Sequence, residues 1–370
     1  MKMMHLADLH IGKVVNGYSM LEEQTAVLQQ VAALLEREQI RHLLLAGDIY
    51  DSPQPSQAAV ELFDQWINSL RRIGVRLYLI SGNHDSMRRL SFGEQSFQKN
   101  EIEISPYFTG KLKTVMAEED GVRVAVTLMP YLKPALVRPY IAETVESYED
   151  AVRLTLAANP PQPDCFNLLV AHQFVTGART CESEELVIGG SENISVELFA
   201  AYDYVALGHL HEGQSVGGRA TVRYAGSPLK YSFSEVDHRK SATVLTWTPD
   251  GVQIDTIPLV PVHDLAELTG LFAELMERRV PDPEAYMRIV LRDETEIPQA
   301  LSRLRTVFPN IMRLEYSRST SAQSELPEFA GQAAPDVLEV FGQLYQRQMG
   351  AELTEQQKQL IKELAEEDEQ

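Results

Sequence analysis

The sequence predicts an α/β fold in which two sheets pack face to face between flanking helices, with a small α/β capping domain and C-terminal helices appended. Three observations carry this reading. Five short apolar runs each lead into a polar, turn-rich loop: Met3 to Ala7, His42 to Ala46, Val75 to Ile80, Asn167 to Ala171 and Tyr204 to Leu207. The first three alternate with amphipathic stretches. After His211 long helical patterns cease, and strands separated by turns take over.

Met3 to Ala7 is short and continuously apolar, as a strand buried on both faces is. Leu21 to Arg37 carries apolar residues at helical spacing and predicts an amphipathic helix. After the strand His42 to Ala46, the segment Asp51-Ser52-Pro53-Gln54-Pro55 is a rigid turn, and a helix starts at Pro55-Ser56 and runs to about Arg72. Strand Val75 to Ile80 completes a β-α-β-α-β run, which implies a parallel sheet with crossover helices. Further strands are expected over residues 101–130, including Val122 to Met129. Tyr148 to Ala158 reads as a helix, broken by Pro160-Pro161-Gln162-Pro163. Strand Phe166 to Ala171 follows. Thr221 to Tyr224, Ala242 to Thr248 and Val252 to Ile257 are expected to extend a second sheet.

Pro258 to Pro261 marks a boundary, so residues 1–260 read as one domain. Residues 261–318 predict a small α-β-α-β unit, with helices over 264–278 and 297–307 and strands over 285–291 and 311–316. Residues 319–334, rich in Ser, Gln, Gly and Pro, read as a linker. Residues 335–370 read as two short partner-binding helices. Val337, Phe341 and Leu344 stripe the first; Leu360, Ile361 and Leu364 stripe the second, where Thr354 and Gln357 offer a capping box.

The chain has 370 residues, more than the ~250–300 at which one core stops growing. The start lacks an apolar signal segment, and no apolar run approaches the ~18 residues that span a bilayer. Its two cysteines, Cys165 and Cys181, form no close metal-binding pair, so a reduced, cytoplasmic protein with no membrane association is expected. The net charge of −20 sits awkwardly with nucleic-acid binding, which uses Lys and Arg against phosphates. Any such contact must rest on bound metal, on local groups such as Arg88-Arg89 or Arg239-Lys240, or on a partner.

The chemistry lies in the loops after the five runs. They carry Asp8 and His10; Asp48 and Asp51; Asn83, His84 and Asp85; His172; and His209 and His211. Taken singly, each is as well explained by a turn or cap as by a site. Together they fall at strand ends, where open α/β sheets bind ligands. His, Asp and Asn without Cys make a mixed nitrogen and oxygen set, which suits Mn²⁺ or Fe²⁺, admits Zn²⁺ and does not favour a structural zinc. The set is too large for one ion. Two ions ~3.5–4 Å apart, bridged by a carboxylate, would use it. Elsewhere, His5 and His42 read as packing or capping groups, His238 and His263 as solvated turn residues. Tyr231 and Phe233 either line a groove or pack.

The set D-x-H, G-D-x-x-D, G-N-H-D, H and G-H-x-H resembles the calcineurin-like metallophosphoesterases. Leu6 to Gly12, Ala46 to Asp51 and Gly226 to Glu235 narrow the resemblance to the bacterial SbcD family, strongly over residues 1–260 and by architecture beyond. The resemblance implies a two-sheet metallophosphoesterase sandwich and a Mn²⁺-dependent DNA nuclease, exonuclease or endonuclease, acting by a two-metal mechanism. It implies double-stranded DNA ends and hairpins as substrates in repair and recombination. It implies a homodimer within a heterotetramer with an SbcC-like ABC/SMC ATPase. Asp8, His10 and His211 would hold one divalent ion, Asn83, His172 and His209 the other, and Asp48 would bridge them. His84 would stabilise the phosphate or protonate the leaving 3′ oxygen, with Asp51 orienting it. Two other readings use the same fold: a phosphoesterase for a small nucleotide or phosphoprotein, and a non-catalytic scaffold. The modules after residue 260 argue against the first and the intact ligand set against the second.

Overall fold

In the computed structural model, residues 1–91, 102–184 and 192–317 are described, together with 342, 345, 353, 354 and 357–359. Met1–Ser317 is one compact unit and Arg318–Gln370 a second. The expected linker, and all but those seven residues of the expected C-terminal helices, lie outside the described residues. Within the second unit, Thr354 N donates to Gln357 Oε1 (2.9 Å) and Gln357 N donates to Thr354 Oγ1 (3.4 Å), the reciprocal pattern of a capping box.

The first sheet is built from β1 (Lys2–Leu6), β4 (His42–Ala46), β5 (Arg76–Ile80) and β6 (Ile102–Ser105), all parallel. Between β1 and β4 stand the short hairpin β2 (Val14–Val15) and β3 (Tyr18–Ser19) and helix α1 (Leu21–Arg37); helix α2 (Gln57–Arg72) links β4 to β5. The second sheet holds β7 (Lys113–Glu119), β8 (Val122–Met129), β9 (Phe166–His172), β10 (Tyr204–Gly208), β11 (Gln214–Val216) and β12 (Arg219–Tyr224). Here β8, β9, β10 and β12 run parallel, and β7 and β11 are antiparallel edges.

One expectation is corrected. β13 (Ser241–Thr248) and β14 (Gly251–Pro258) do not extend the second sheet. They return antiparallel beside β1, giving the first sheet the order β14-β13-β1-β4-β5-β6. Strand propensity is blind to which edge accepts a strand; here β1 offered an unpaired edge.

Side-chain alternation sorts the core into layers. Met3, Leu44, Tyr78, Val126, Leu168, Tyr204 and Trp247 face inward between the sheets. Met4, Leu43, Leu45 and Leu79 face outward onto Val27 and Val31 of α1 and Phe63 and Trp66 of α2. On the far side, Leu169, Val205 and Leu207 meet Val152 and Leu156 of the helix Tyr148–Ala158. That helix begins with a capping box between Ser147 and Asp150.

The small unit after Pro261 is β-α-β-α-β, with parallel strands β15 (Leu265–Gly270), β16 (Tyr286–Leu291) and β17 (Ile311–Tyr316) and helices Phe272–Glu277 and Ala300–Leu304. The expected helix over 264–278 is therefore half strand. Six residues of β15 pair with β16, and the helix starts only after Gly270. A short apolar run does not by itself distinguish the two conformations, and strand pairing decided it. The fully buried Glu23 on α1 accepts from the backbone N–H groups of Val262 and His263 and from His263 Nδ1 (2.7 Å), so His263 is a tether, not a solvated turn residue.

Trp247 is 1% exposed and packs on Phe166 of the opposite sheet, with ring centroids 5.2 Å apart. Trp247→Ala should destabilise the protein by ~3–5 kcal/mol, read by chemical denaturation. A loss under ~1 kcal/mol would mean that the layer between the sheets collapses into the space.

Candidate metal centre

The carboxyl ends of β1, β4 and β5 in one sheet and β9 and β10 in the other open onto the same crevice. All seven expected ligands and His84 meet there. Asp8, His10, Asp48 and His209 have φ values of 54°, 44°, 50° and 105°. Non-glycine residues rarely hold such angles outside sites where the surroundings enforce them. The enforcement is visible in the backbone: Asp8 N and His10 N donate to the carbonyls of Gly47 and Asp48 (3.1 and 3.0 Å). Two glycines admit the close approach. A Cβ on Gly82 would collide with the Asp48 carboxylate, and one on Gly208 with the Ala46 carbonyl.

Asp48 is at the middle. Its Oδ2 lies 3.4 Å from His172 Nε2, 3.7 Å from His10 Nε2 and 3.9 Å from His84 Nε2. On one side, His10 Nε2 and His211 Nε2 face each other at 3.1 Å. On the other, Asn83 Oδ1 lies 2.9 Å from His172 Nε2 and 3.0 Å from His209 Nδ1. Asp8 Oδ1 accepts from His209 N (2.9 Å), while its buried Oδ2 has no hydrogen-bond partner. The donor set fits divalent ions. Metal bonds of ~2.0–2.2 Å place neighbouring ligand atoms about 3 Å apart, the spacing of the His10–His211 and Asn83–His172 contacts. A cation also answers the unpartnered oxygen of Asp8. Two triads of candidate ligands gather around Asp48: Asp8, Asp48 and His172, and His10, Asp48 and His84.

The electrostatics match. Burial opposes ionisation of Asp48, but the imidazoles of His172, His10 and His84 outweigh it and hold its carboxyl well below the ordinary range. Burial likewise opposes charge on His172, yet Asp48 and Asp8 push it up to about 9. Burial alone dominates elsewhere, raising Asp8 and lowering His209 to about 3 and His211 to about 4.

The carboxylate of Asp51 does not orient His84. Its backbone carbonyl does, 3.0 Å from His84 Nδ1. The carboxylate turns instead toward His10 Nδ1 (3.4 Å) and pairs with Lys13 (2.7 Å). Its pKa falls to about 2, burial being outweighed by His10 and Lys13. Sequence reasoning placed Asp51 in the centre and missed which of its groups faces which ring.

Four supports were not foreseen. The buried Asp85 accepts from the N–H groups of Ile49, Tyr50 and Gly82 (3.0–3.1 Å), tying the β4 and β5 loops together. Burial and the charge of Asp48 raise its pKa to about 6. Gln24 of α1 donates to the carbonyl of His10 (2.7 Å). Glu235 and Lys240 stand behind His211, and Lys240, being buried, is not a surface group for nucleic acid. Tyr231 packs: it is buried, its ring centroid is 5.7 Å from that of His10, and its hydroxyl donates to Leu9 O. The Gly-Asn-His-Asp motif held a sequence signal at Asp85 and the Gly226 to Glu235 motif one at Glu235, but neither showed what these residues contact. His5 and His42 are the expected packing groups, buried and 3.1 Å from the hydroxyls of Tyr204 and Tyr78.

Comparison with known proteins identifies the family. Residues 1–213 match the calcineurin-like phosphoesterase family, and residues 261–349 match the type 5 capsule protein repressor C-terminal domain. A relative from Staphylococcus epidermidis, the SbcD subunit of the nuclease SbcCD, is 31% identical over 322 residues, covering 85% of each chain. Among solved structures, a dimetal phosphatase from Danio rerio aligns at 11% identity with a TM-score of 0.40, covering 70% of this chain and 99% of that one. The protein TT1561 of Thermus thermophilus aligns at 10% identity and 0.39, covering 69% and 98%. The family implies divalent metal ions, which the donor set accommodates. The chain belongs to the calcineurin-like phosphoesterases and, within them, to the SbcD family of nuclease subunits.

Proposed function

We propose that this protein is a Mn²⁺-dependent DNA nuclease, the subunit that hydrolyses phosphodiesters at DNA ends and hairpins in an SbcCD-like complex. The observation that carries the reading is Asp48: one buried carboxylate oxygen within 4 Å of three imidazole nitrogens, in a chain 31% identical to the SbcD subunit of a nuclease SbcCD. Asp8, His10 and His211 would hold one ion and Asn83, His172 and His209 the other, with Asp48 shared by both. When bound, the two ions supply Lewis acidity to the phosphodiester and lower the pKa of water towards ~7.

The chain's own residues do the rest. The Asp51 carbonyl accepts the Nδ1 proton of His84, which leaves Nε2 facing the centre. Nε2 stands 3.9 Å from Asp48 Oδ2, placed to stabilise the phosphate or to pass a proton to the leaving 3′ oxygen. An SbcC-like ABC/SMC ATPase is the proposed partner, docked through residues 335–370, with a homodimer inside the heterotetramer. It would contribute the DNA-binding surface that a chain of net charge −20 lacks. A cytoplasmic location goes with this role. No helix among the described residues is long and apolar enough to cross a membrane.

The direct test is cleavage of hairpin and blunt duplex DNA with and without Mn²⁺. Asp48→Ala should abolish cleavage and paired metal binding while the fold is kept, because the site lies on loops outside the core. Normal cleavage by this variant in Mn²⁺ would remove Asp48 from the centre. His84→Ala should lower turnover by ~10²–10⁴-fold with metal stoichiometry unchanged by calorimetry; a lost ion would make His84 a ligand.

Metal affinity should rise with pH. A bound His172 must be neutral, yet without metal it is protonated up to about pH 9. Binding therefore displaces a proton, and Asp8, raised by burial, acts in the same direction. Titrations in buffers of different ionisation enthalpy should show proton release at pH 7.5 and tighter binding on approach to pH 9. Affinity that is flat from pH 7 to 9 would contradict the protonated His172.

A further inference from the structure

The segment Gly226 to Glu235 is distinctive in sequence, yet it contributes no side chain to the proposed ligand set. It wraps behind His211. Ser227 N donates to the His211 carbonyl (3.2 Å), and the Tyr231 ring lies edge-on to His211 with centroids 5.9 Å apart. The segment ends in Glu235, which is fully buried. Its Oε1 lies 3.3 Å from His211 Nδ1. The Ser183 hydroxyl donates to the same oxygen and so accepts at 2.8 Å from His211 Nδ1. This direction of donation makes Nδ1 the protonated nitrogen and leaves Nε2 bare toward His10. Lys240 pairs with Glu235 Oε2, and its ammonium also donates to the His211 carbonyl and to Ser227 Oγ (2.8 Å each). Glu235 and Lys240 thus grip His211 by ring and backbone.

We propose that Glu235 is a positioning residue that fixes the tautomer and aim of His211, with Lys240 holding Glu235 in place. The inference rests on the proposed metal pair. Metal-bound histidines depend on such partners: an accepting carboxylate raises ring basicity and sets its orientation. Cys181, His211 and Glu235 also lie close enough to be read as a separate cation site. The Lys240 ammonium on Glu235 argues against it, because a cation there would face a fixed positive charge at contact distance. The thiol is raised to about 12, by burial and then by Glu235, so it is no ready thiolate ligand.

The test is calorimetric titration of the full-length protein with Mn²⁺ alone, run on the parent and on Glu235→Gln and Glu235→Asp. The Gln change keeps shape and removes charge; the Asp change keeps the partner of Lys240 and withdraws the oxygen from His211. Both variants should lose ~10–100-fold in affinity at one site and stay within twofold at the other. The electron paramagnetic resonance spectrum at matched Mn²⁺ should pass from that of a coupled pair to that of a single ion. Melting in chelator should leave the Asp variant near the parent. Unchanged affinity at both sites overturns the inference, as does equal weakening at both with a lowered melting point in chelator, which would mark Glu235 as a fold residue. A third ion bound by the parent and lost in Cys181→Ser overturns it in favour of the separate site. A parent that binds fewer than two ions overturns the metal pair itself; a parent that binds two beside unaffected variants overturns this inference alone.

Discussion

The centre depends on keeping one carboxylate charged where water is scarce. Asp48 is 2% exposed, and an isolated carboxylate in such a place would take up a proton. Three imidazoles prevent it, and each arrives from a different place. His10 follows β1, His84 follows β5, and His172 ends β9 of the opposite sheet. A single sheet cannot surround Asp48 in this way. Two sheets can, because their parallel strands bring several carboxyl ends to one edge, and the apolar layer of Met3, Leu44, Tyr78, Leu168 and Trp247 holds those edges in register. Packing therefore reaches the chemistry through distance: a shift of one sheet on the other moves His172 relative to Asp48.

The loops carry the cost of that convergence. Asp8, His10, Asp48 and His209 sit at positive φ, each a conformation disfavoured by roughly 1–3 kcal/mol. Backbone hydrogen bonds between neighbouring loops and the brace of Asp85 across three N–H groups offset it. Close approach between the loops, not backbone strain, explains the glycines that flank the ligands. Gly82 and Gly208 stand where another loop passes too close for any Cβ.

Much of this was legible in the chain. Leu21–Arg37, His42–Ala46, Val122–Met129 and Tyr148–Ala158 are the elements that periodicity predicts, because each has a clean apolar pattern bounded by turn residues. The residues of the centre were legible for another reason: they follow strands at fixed short offsets, so topology gathers them. What escaped was relational. The edge that β13 would join depended on the partner strand, and β15 reads as a helix until β16 pairs with it. The acceptor for His84 is a carbonyl, and every residue has one, so no side chain announces it. Glu235 and Lys240 lie more than twenty residues from His211, and only the folded chain brings them together.

The histidines of the centre are backed in two ways, and the difference separates the proposed ion sites. His10 and His211, assigned to the same ion, each turn Nδ1 toward a carboxylate that is paired with a lysine: Asp51 with Lys13, and Glu235 with Lys240. His172, assigned to the other, faces the carbonyl of Ala46 at 2.8 Å. A carboxylate makes the opposite nitrogen of the ring a stronger donor than a peptide carbonyl does, and the lysine keeps that carboxylate ionised. The first ion would meet the carboxylate of Asp8 and two imidazoles, His211 with a hydrogen-bonded carboxylate behind it and His10 with one at 3.4 Å, and the second an amide and two imidazoles without a hydrogen-bonded carboxylate behind them. The same division separates what mutation can reach: the first site rests on side chains that substitution alters one at a time, whereas the aim of His172 is built into the backbone of β4.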